Sequence, residues 1–361
     1  MTRSVKARTG SRAGDTRAGA RAAAAKRAQA VLAKTLVWDN HGCMPLRPDD
    51  ERFLPQLERY RKAGVRVVAL NVAFDGVPWE QTFRMLAAFR HWIRRHGRQY
   101  RLVETAVDLR ADDRRLGVFF DIEGGSALAG QLSLVELYRD LGVRWMLIAY
   151  NRNNALGGGC QDDDRGLTRF GRAVVREMER VGMTVCCSHT GHRTTMDVMR
   201  MAKRPVIFSH SNPLSVWQHK RNIRDAAIRA CAATGGVVGV NGIGMFLGQN
   251  DNRSETVARH IDYVAQLVGV EHVGLGLDYV FDTQELEEYL AANPQLFPAE
   301  EGYATGLRMV LPEQVPEVAA ELLRLGYRMA DVAKVLGGNF LRVARRNWPT
   351  ARALNLPDGG R

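Results

Sequence analysis

Residues able to do chemistry gather where the apolar runs of this chain end. His41 and Cys43 close "TLVWDNHGC", Asp121 and Glu123 close "LGVFFDIEGG", and Tyr150 and Asn151 close "VRWMLIAYN". His189 ends "GMTVCCSHT", His210 ends "RPVIFSHSN" and Asp278 lies in "EHVGLGLDYV". Imidazole with carboxylate is the ligand set of catalytic zinc and related divalent ions. One histidine at a strand end is most often a satisfied core or surface residue. Three of them, joined by Glu123 and Asp278, point to a metal site. Residues two apart in a strand share a side, so His41 and Cys43 face one way while Asn40 and Gly42 face the other.

The elements that must position these groups follow from the pattern of the whole chain. Eight apolar β-type runs start at 35, 65, 116, 143, 182, 204, 235 and 271, with amphipathic stretches such as "TRFGRAVVREMERVG" and "SETVARHIDYVAQLVG" between them. Continuous apolar strands separated by helices imply a parallel sheet with covered faces, and eight such units in roughly 250 residues imply a (β/α)8 barrel. Active sites of such barrels lie at the C-terminal ends of the strands, where these polar residues fall. Expected boundaries are a basic, largely disordered arm at 1–32, the barrel with closing C-terminal helices at 33–348 and a tail at 349–361. "RAAAAKRAQAVLAK" has the composition of a helix leading into the fold. The excursion at 281–312 is expected to cover the mouth.

Composition narrows the function classes. The 361 residues are 45% hydrophobic and 25% charged, an ordinary globular balance. Residues 1–34 hold nine Lys/Arg against Asp15 alone, so +8 of the net +12 sits there and the body is near neutral. That distribution is not a basic groove, so no specific nucleic-acid partner is expected. No run is long enough for a membrane span, and five cysteines without CxxC spacing suit a reducing compartment, so the expected location is the cytoplasm.

The residues also carry a family resemblance. "DNHGCMPL" is similar to the D-G-H-x-D-x-P opening of the membrane (renal) dipeptidase family of zinc peptidases, peptidase family M19, "FDIEGG" to its I-E-G-G, and "IAYNRNN" to its L-T-H-N-x-N-N. "GLTRFGRAVVREMERVGMTVCCSHTG", "PVIFSHSNPLSVWQHKRNI", "VGLGLDYV" and "GGNFLRV" resemble further family segments in order, over about residues 33–346. The resemblance implies an amidohydrolase-type barrel that cleaves the amide of a dipeptide or a similar small N-acyl amino-acid compound. Two zinc ions are implied, bridged by Glu123, one with His41, Asp278 and the residue at Cys43, the other with His189 and His210. A hydroxide bridging the metals would attack the carbonyl, Asp278 would carry its proton to the leaving amine, and Arg221 would pair with the substrate's terminal carboxylate. Asn151 is a further substrate-binding candidate, and a homodimer is implied.

Two departures fall on the site. Cys43 stands where the family has aspartate, and Tyr150 where it has a histidine that stabilises the oxyanion. Cys43 is either a thiolate ligand or a bystander beside an empty or weak first site, in which case one ion remains. A phenol at Tyr150 donates one hydrogen bond and can face an oxyanion, or it blocks the pocket. Val280 replaces the family's second acid nearby. These changes keep two alternatives open: a different hydrolase or lyase reaction on the same metals, and a non-catalytic metal- or ligand-binding descendant. The glycines of "GVNGIGMFLG" lack the context of a nucleotide loop. Asp162 to Asp164 form a solvated acidic turn or a cation site, and His91, His96, His219, His260 and His272 read as solvated or core residues.

Overall fold

The computed structural model describes residues 11–303, 306–348 and 350. The apolar runs form ten strands, β1 (Trp38–Cys43), β2 (Val67–Phe74), β3 (Tyr100–Leu102), β4 (Leu116–Glu123), β5 (Val143–Leu147), β6 (Thr184–Cys186), β7 (Ile207–Phe208), β8 (Val237–Asn241), β9 (Val273–Gly276) and β10 (Tyr279–Val280). Eight of them, all but β3 and β10, pair in parallel round a ring that closes where Asp39 of β1 meets Leu275 of β9. β3 pairs with β4 outside the ring and β10 extends β1. This is the expected (β/α)8 barrel.

Helices such as Arg169–Val181 and Ser254–Val268 cross between successive strands. The first shows why a helix forms there: Thr168 Oγ1 accepts from the Gly171 N–H at its start, Gly182 ends it at φ +83°, and Val174, Val175 and Met178 supply the buried stripe. Among the described residues no helix is long and apolar enough to cross a membrane.

Alternation in the strands divides the core in two. Val118, Phe120 and Ile122 of β4 face the helices, whereas Phe119 joins Trp38, Trp145 and Leu147 inside the barrel. The lower end is plugged by the last helix, Asn339–Asn347, and by Trp348, whose ring lies 5.1 Å from Phe119 and 5.6 Å from Trp38. Asp121 and Glu123 share the parity of Phe119, so the same pleat that packs the floor aims both carboxylates into the barrel above it. Cys186 and Cys187 likewise split between the two layers.

The N-terminal stretch departs from the expected arm. Ser11–Leu32 is a helix, and Ala24, Ala28, Val31 and Leu32 are buried on one face of it, against the helices Val315–Arg324 and Met329–Ala333. Alanine's helix propensity and the i, i+4, i+7 spacing of these side chains account for the docking. Residues 1–10 of the arm, and 349 and 351–361 of the tail, lie outside the described residues. Beyond β10 the excursion carries the helix Thr283–Ala292 over the C-terminal mouth.

Candidate metal centre and active site

A register shift in β1 sets the site's first two ligand candidates. β1 pairs Asp39 with Val68 but Gly42 with Leu70, so one extra residue bulges between them. Trp38 therefore points into the barrel and Asp39 out, toward the Tyr60 hydroxyl at 2.8 Å, while His41 and Cys43 point in again. Gly42 passes Tyr60 closely, since a Cβ there would lie 3.1 Å from its oxygen.

Three imidazoles are held by one nitrogen each. His41 Nδ1 lies 3.3 Å from Asp121 Oδ2, His189 Nδ1 2.7 Å from Asn151 Oδ1, and His210 Nδ1 2.8 Å from Ser209 Oγ. These neighbours fix ring orientation and leave each Nε2 facing inward, the arrangement that orients metal-binding histidines. The three Nε2 atoms lie 3.5, 3.5 and 3.2 Å from Glu123 Oε1, a buried oxygen without a hydrogen bond. His41 and His210 stack with ring centres 4.1 Å apart.

On the other side of His41, Cys43 Sγ is 3.3 Å from its Nε2 and 3.6 Å from Asp278 Oδ1, and Asp278 Oδ1 is 3.5 Å from that Nε2. A tetrahedral zinc with a sulfur at about 2.3 Å and nitrogen or oxygen at about 2.0–2.1 Å has ligand–ligand edges of roughly 3.4–3.6 Å. The triangle of Cys43, His41 and Asp278 matches those edges to within a few tenths of an ångström. His41, Glu123 and His210 form a second group able to hold an ion. His189 Nε2 and His210 Nε2, 2.9 Å apart, are closer than such an edge. The donor set thus fits a divalent metal, and a cation is also what the orphaned oxygen of Glu123 lacks.

Electrostatics agree with this donor chemistry. Burial pushes Glu123 up to about 8, with Asp121 and Asp278 adding repulsion against the pull of His41. Burial likewise raises the Cys43 thiol to about 12, against the pull of His41. A coordinated cation reverses that preference and takes the thiolate. Burial, reinforced by Arg221 and His41, lowers His189 and His210 well below the ordinary range, so both stay in the neutral form a metal needs. Burial also works against the charged form of His41, but Cys43, Glu123 and Asp121 outweigh it and its proton is held, to be displaced when metal binds.

The backbone is strained where it presents these groups. Asn151, His189 and Asp278 sit at φ +58°, +59° and +58°, a left-handed conformation that costs a non-glycine residue about 1 kcal/mol or more. Asp278 is further held by its N–H on the His41 carbonyl at 3.0 Å and by Asn241 Nδ2 on Oδ2 at 2.8 Å.

The family model for membrane dipeptidases, peptidase family M19, matches residues 26–295. The chain belongs to the membrane dipeptidase family. It is 32% identical over 211 residues to an uncharacterized dipeptidase of Schizosaccharomyces pombe, covering 55% of this chain and 50% of that protein. It is 30% identical over 246 residues to dipeptidase aclJ of Aspergillus oryzae, covering 66% and 54%. The chain thus spans about half the length of the curated relatives it matches. Among solved structures, an amidohydrolase from Pseudomonas aeruginosa superposes with a TM-score of 0.80 at 27% identity, over 89% of this chain and 99% of that one. A metallo peptidase from Rhodobacter sphaeroides, solved with a phosphinate mimic of the dipeptide L-Ala-D-Ala, shares the fold at TM-score 0.70 and 20% identity, over 87% and 100%.

The remaining sequence-predicted residues of this membrane dipeptidase family member border the same centre. Tyr150 stacks on His189 with ring centres 4.2 Å apart, and burial followed by the charges of Glu123 and Asp278 keeps its phenol protonated well above its ordinary range. Asn151 stands behind His189 as an orienting group, with its Nδ2 buried and unpartnered. Arg221 is buried, its Nη2 donating to the His210 carbonyl at 3.0 Å and its Nε unpartnered. Val280 lines the cavity above the centre.

Sequence reasoning did not assign Asp121, Ser209 or Asn241 their holding roles. Asp121 carried a signal, its two-residue spacing from Glu123, and Asn241 ends its strand as the other polar residues do. Of the acidic turn, Asp162 pairs with Arg152 and Asp164 accepts from Thr194, so both serve the loop's own structure.

Proposed function

We propose that this protein is a zinc-dependent hydrolase with two ions, cleaving the amide bond of a dipeptide or a similarly small N-acyl amino acid. The observation that carries the reading is the convergence of three singly held imidazoles on the orphaned Glu123 oxygen, beside Cys43 and Asp278, at the floor of a cavity of about 420 Å³. His41, Cys43 and Asp278 would hold one ion, His189 and His210 the other, with Glu123 between. When bound, such ions polarise a carbonyl and lower the pKa of water to about 7.

The chain's own groups supply the rest. Asp278, fixed by Asn241 and 15% exposed at its side chain, takes the proton of the attacking water. As the water oxygen adds to the carbonyl carbon and the C–N bond breaks, Asp278 returns that proton to the leaving nitrogen. Tyr150, kept protonated, donates to the developing oxyanion. Arg221, with one N–H unused, reads the terminal carboxylate. Five cysteines that are all free fit a reducing, cytoplasmic setting.

The test is release of free amino acid from a panel of dipeptides and N-acyl amino acids by zinc-supplied protein. Turnover that chelation abolishes and Asp278→Asn lowers by about 10²–10⁴-fold is expected. Zinc-loaded protein that cleaves no member of the panel would overturn the reading.

A further inference from the structure

Above the metal centre the cavity turns apolar on one side. Its floor is Glu123, His189, Cys43 and Asp278, and over β1 and β2 it is walled by Phe74, Val77, Leu286, Tyr289, Leu290 and Phe297. The last four come from the excursion after β10. That segment is clipped over the mouth by Arg47, whose Nη2 lies 3.0 Å from Asp282 and whose Nη1 lies 2.9 Å from Glu285. On its far side His219 Nε2 lies 3.1 Å from the Glu301 carbonyl and Lys220 pairs with Glu301 at 2.6 Å.

Charge completes the picture. Among the described residues, the only charged groups lining the cavity are Glu123, Asp278, Asp282 and Glu285. The first two belong to the metal centre, and the last two share one guanidinium, that of Arg47, which also pairs with Asp50. The apolar side chains of the wall offer a charge no partner, and no cation lines it to receive an anion. Arg221 lies across the centre, on the loop after β7, so a substrate whose terminal carboxylate points there lays its acyl half over β1 and β2.

We infer that the acyl half of the substrate carries a large apolar group, seated between Phe74 and the helix Thr283–Ala292. The inference rests on the hydrolase reading above and extends it. Each methylene buried against that wall is worth about 0.8 kcal/mol, roughly fourfold in binding.

The experiment uses zinc-supplied full-length protein and glycine as the common leaving amino acid, which removes stereochemistry from that half. Acetylglycine and 4-methylpentanoylglycine are compared. Four added carbons carry up to about 200-fold in kcat/KM, so 4-methylpentanoylglycine should exceed acetylglycine by at least tenfold. Leu286→Glu should compress the ratio of 4-methylpentanoylglycine to acetylglycine by about tenfold or more. Thermal stabilisation by acetate and 4-methylpentanoate, read in parallel, separates the two layers of argument. Chain-length-dependent stabilisation without cleavage would sink the hydrolase reading and keep the cavity's preference. A flat response to chain length in both assays would overturn the inference.

Discussion

Replacing Cys43 by serine should remove one metal ion and leave the other. Its sulfur is the only thiol in the ligand cluster, and it completes the triangle with His41 Nε2 and Asp278 Oδ1 at 3.3 and 3.6 Å. His189, His210 and Glu123 do not depend on it for their geometry. Apparent zinc binding energies of about 10–16 kcal/mol over four ligands assign each ligand about 2.5–4 kcal/mol, or roughly 10²–10³-fold in affinity. The wild type, dialysed against low metal and analysed for elements, should hold two ions per chain, and Cys43→Ser one. Cobalt in place of zinc gives an independent readout, because a thiolate ligand produces a sulfur-to-cobalt charge-transfer band in the near ultraviolet. Wild type should show it and Cys43→Ser should not, while Cys43→Asp should regain the second ion without the band. A cobalt form of the wild type without the band, or a serine variant that holds two ions as tightly, would refute the argument from the three edge lengths.

Three further outcomes follow from the same geometry. Asp121→Asn keeps the shape beside His41 but removes the charge, so metal affinity should fall about 10–100-fold in competition with a chelator; unchanged affinity would leave Asp121 without a holding role. Arg221→Lys should raise KM for free dipeptides about 10–100-fold, the worth of a charged hydrogen bond, and should leave KM for their C-terminal amides nearly unchanged; equal effects would remove it as the carboxylate reader. His260, buried with Nε2 2.9 Å from the Leu247 carbonyl, is lowered by that burial to about 4. Below its unfolded pKa of about 6.5 only the unfolded chain takes the proton, so stability is lost as pH falls from there through 4. The stability difference between wild type and His260→Gln should therefore shrink by roughly 2–3 kcal/mol from pH 7 to 4.5 in urea titrations; a difference independent of pH would refute it.

The barrel and its ligand rim were legible because period-two alternation and strand-end position are local properties. Eight apolar runs specify eight strands, and spacing two apart is enough to pair His41 with Cys43 and Asp121 with Glu123. What stayed hidden depends on distances through space. The β1 bulge that keeps His41 and Cys43 inward leaves no trace in the apolar pattern, since Asn40 looks like any other strand residue. Arg47 could be read as a surface charge until Asp282 and Glu285, some 235 residues away, proved to be its partners. The alanine-rich end of the helix at Ser11–Leu32 was legible in its composition, whereas its reach back to Ser11 and the close docking of its small face were not.

The centre's energetics make the metal part of the fold as well as of the chemistry. Asp121, Glu123, Asp278 and Cys43 crowd around His41, and Glu123 is raised by its burial and by repulsion from Asp121 and Asp278, against the pull of His41 and Arg221. Buried acids cost several kcal/mol unless a cation compensates them. His41, protonated, supplies one positive charge to the metal-free cluster, and Arg221 a second from behind. The two divalent ions proposed above would replace the proton on His41 with four charges at the point where Glu123 Oε1 has no partner. On that proposal the strained backbone at Asn151, His189 and Asp278 serves ligand aim: each left-handed residue turns the chain at a strand end so that a proposed ligand or its holder faces the centre, and metal binding energy would offset the strain. Metal removal should therefore loosen these three loop corners first, which amide exchange at residues 151, 189 and 278 would detect, while the Trp38, Phe119 and Trp348 floor stays protected. Uniform exchange through floor and rim would show that the centre and the barrel do not share their stability in this way.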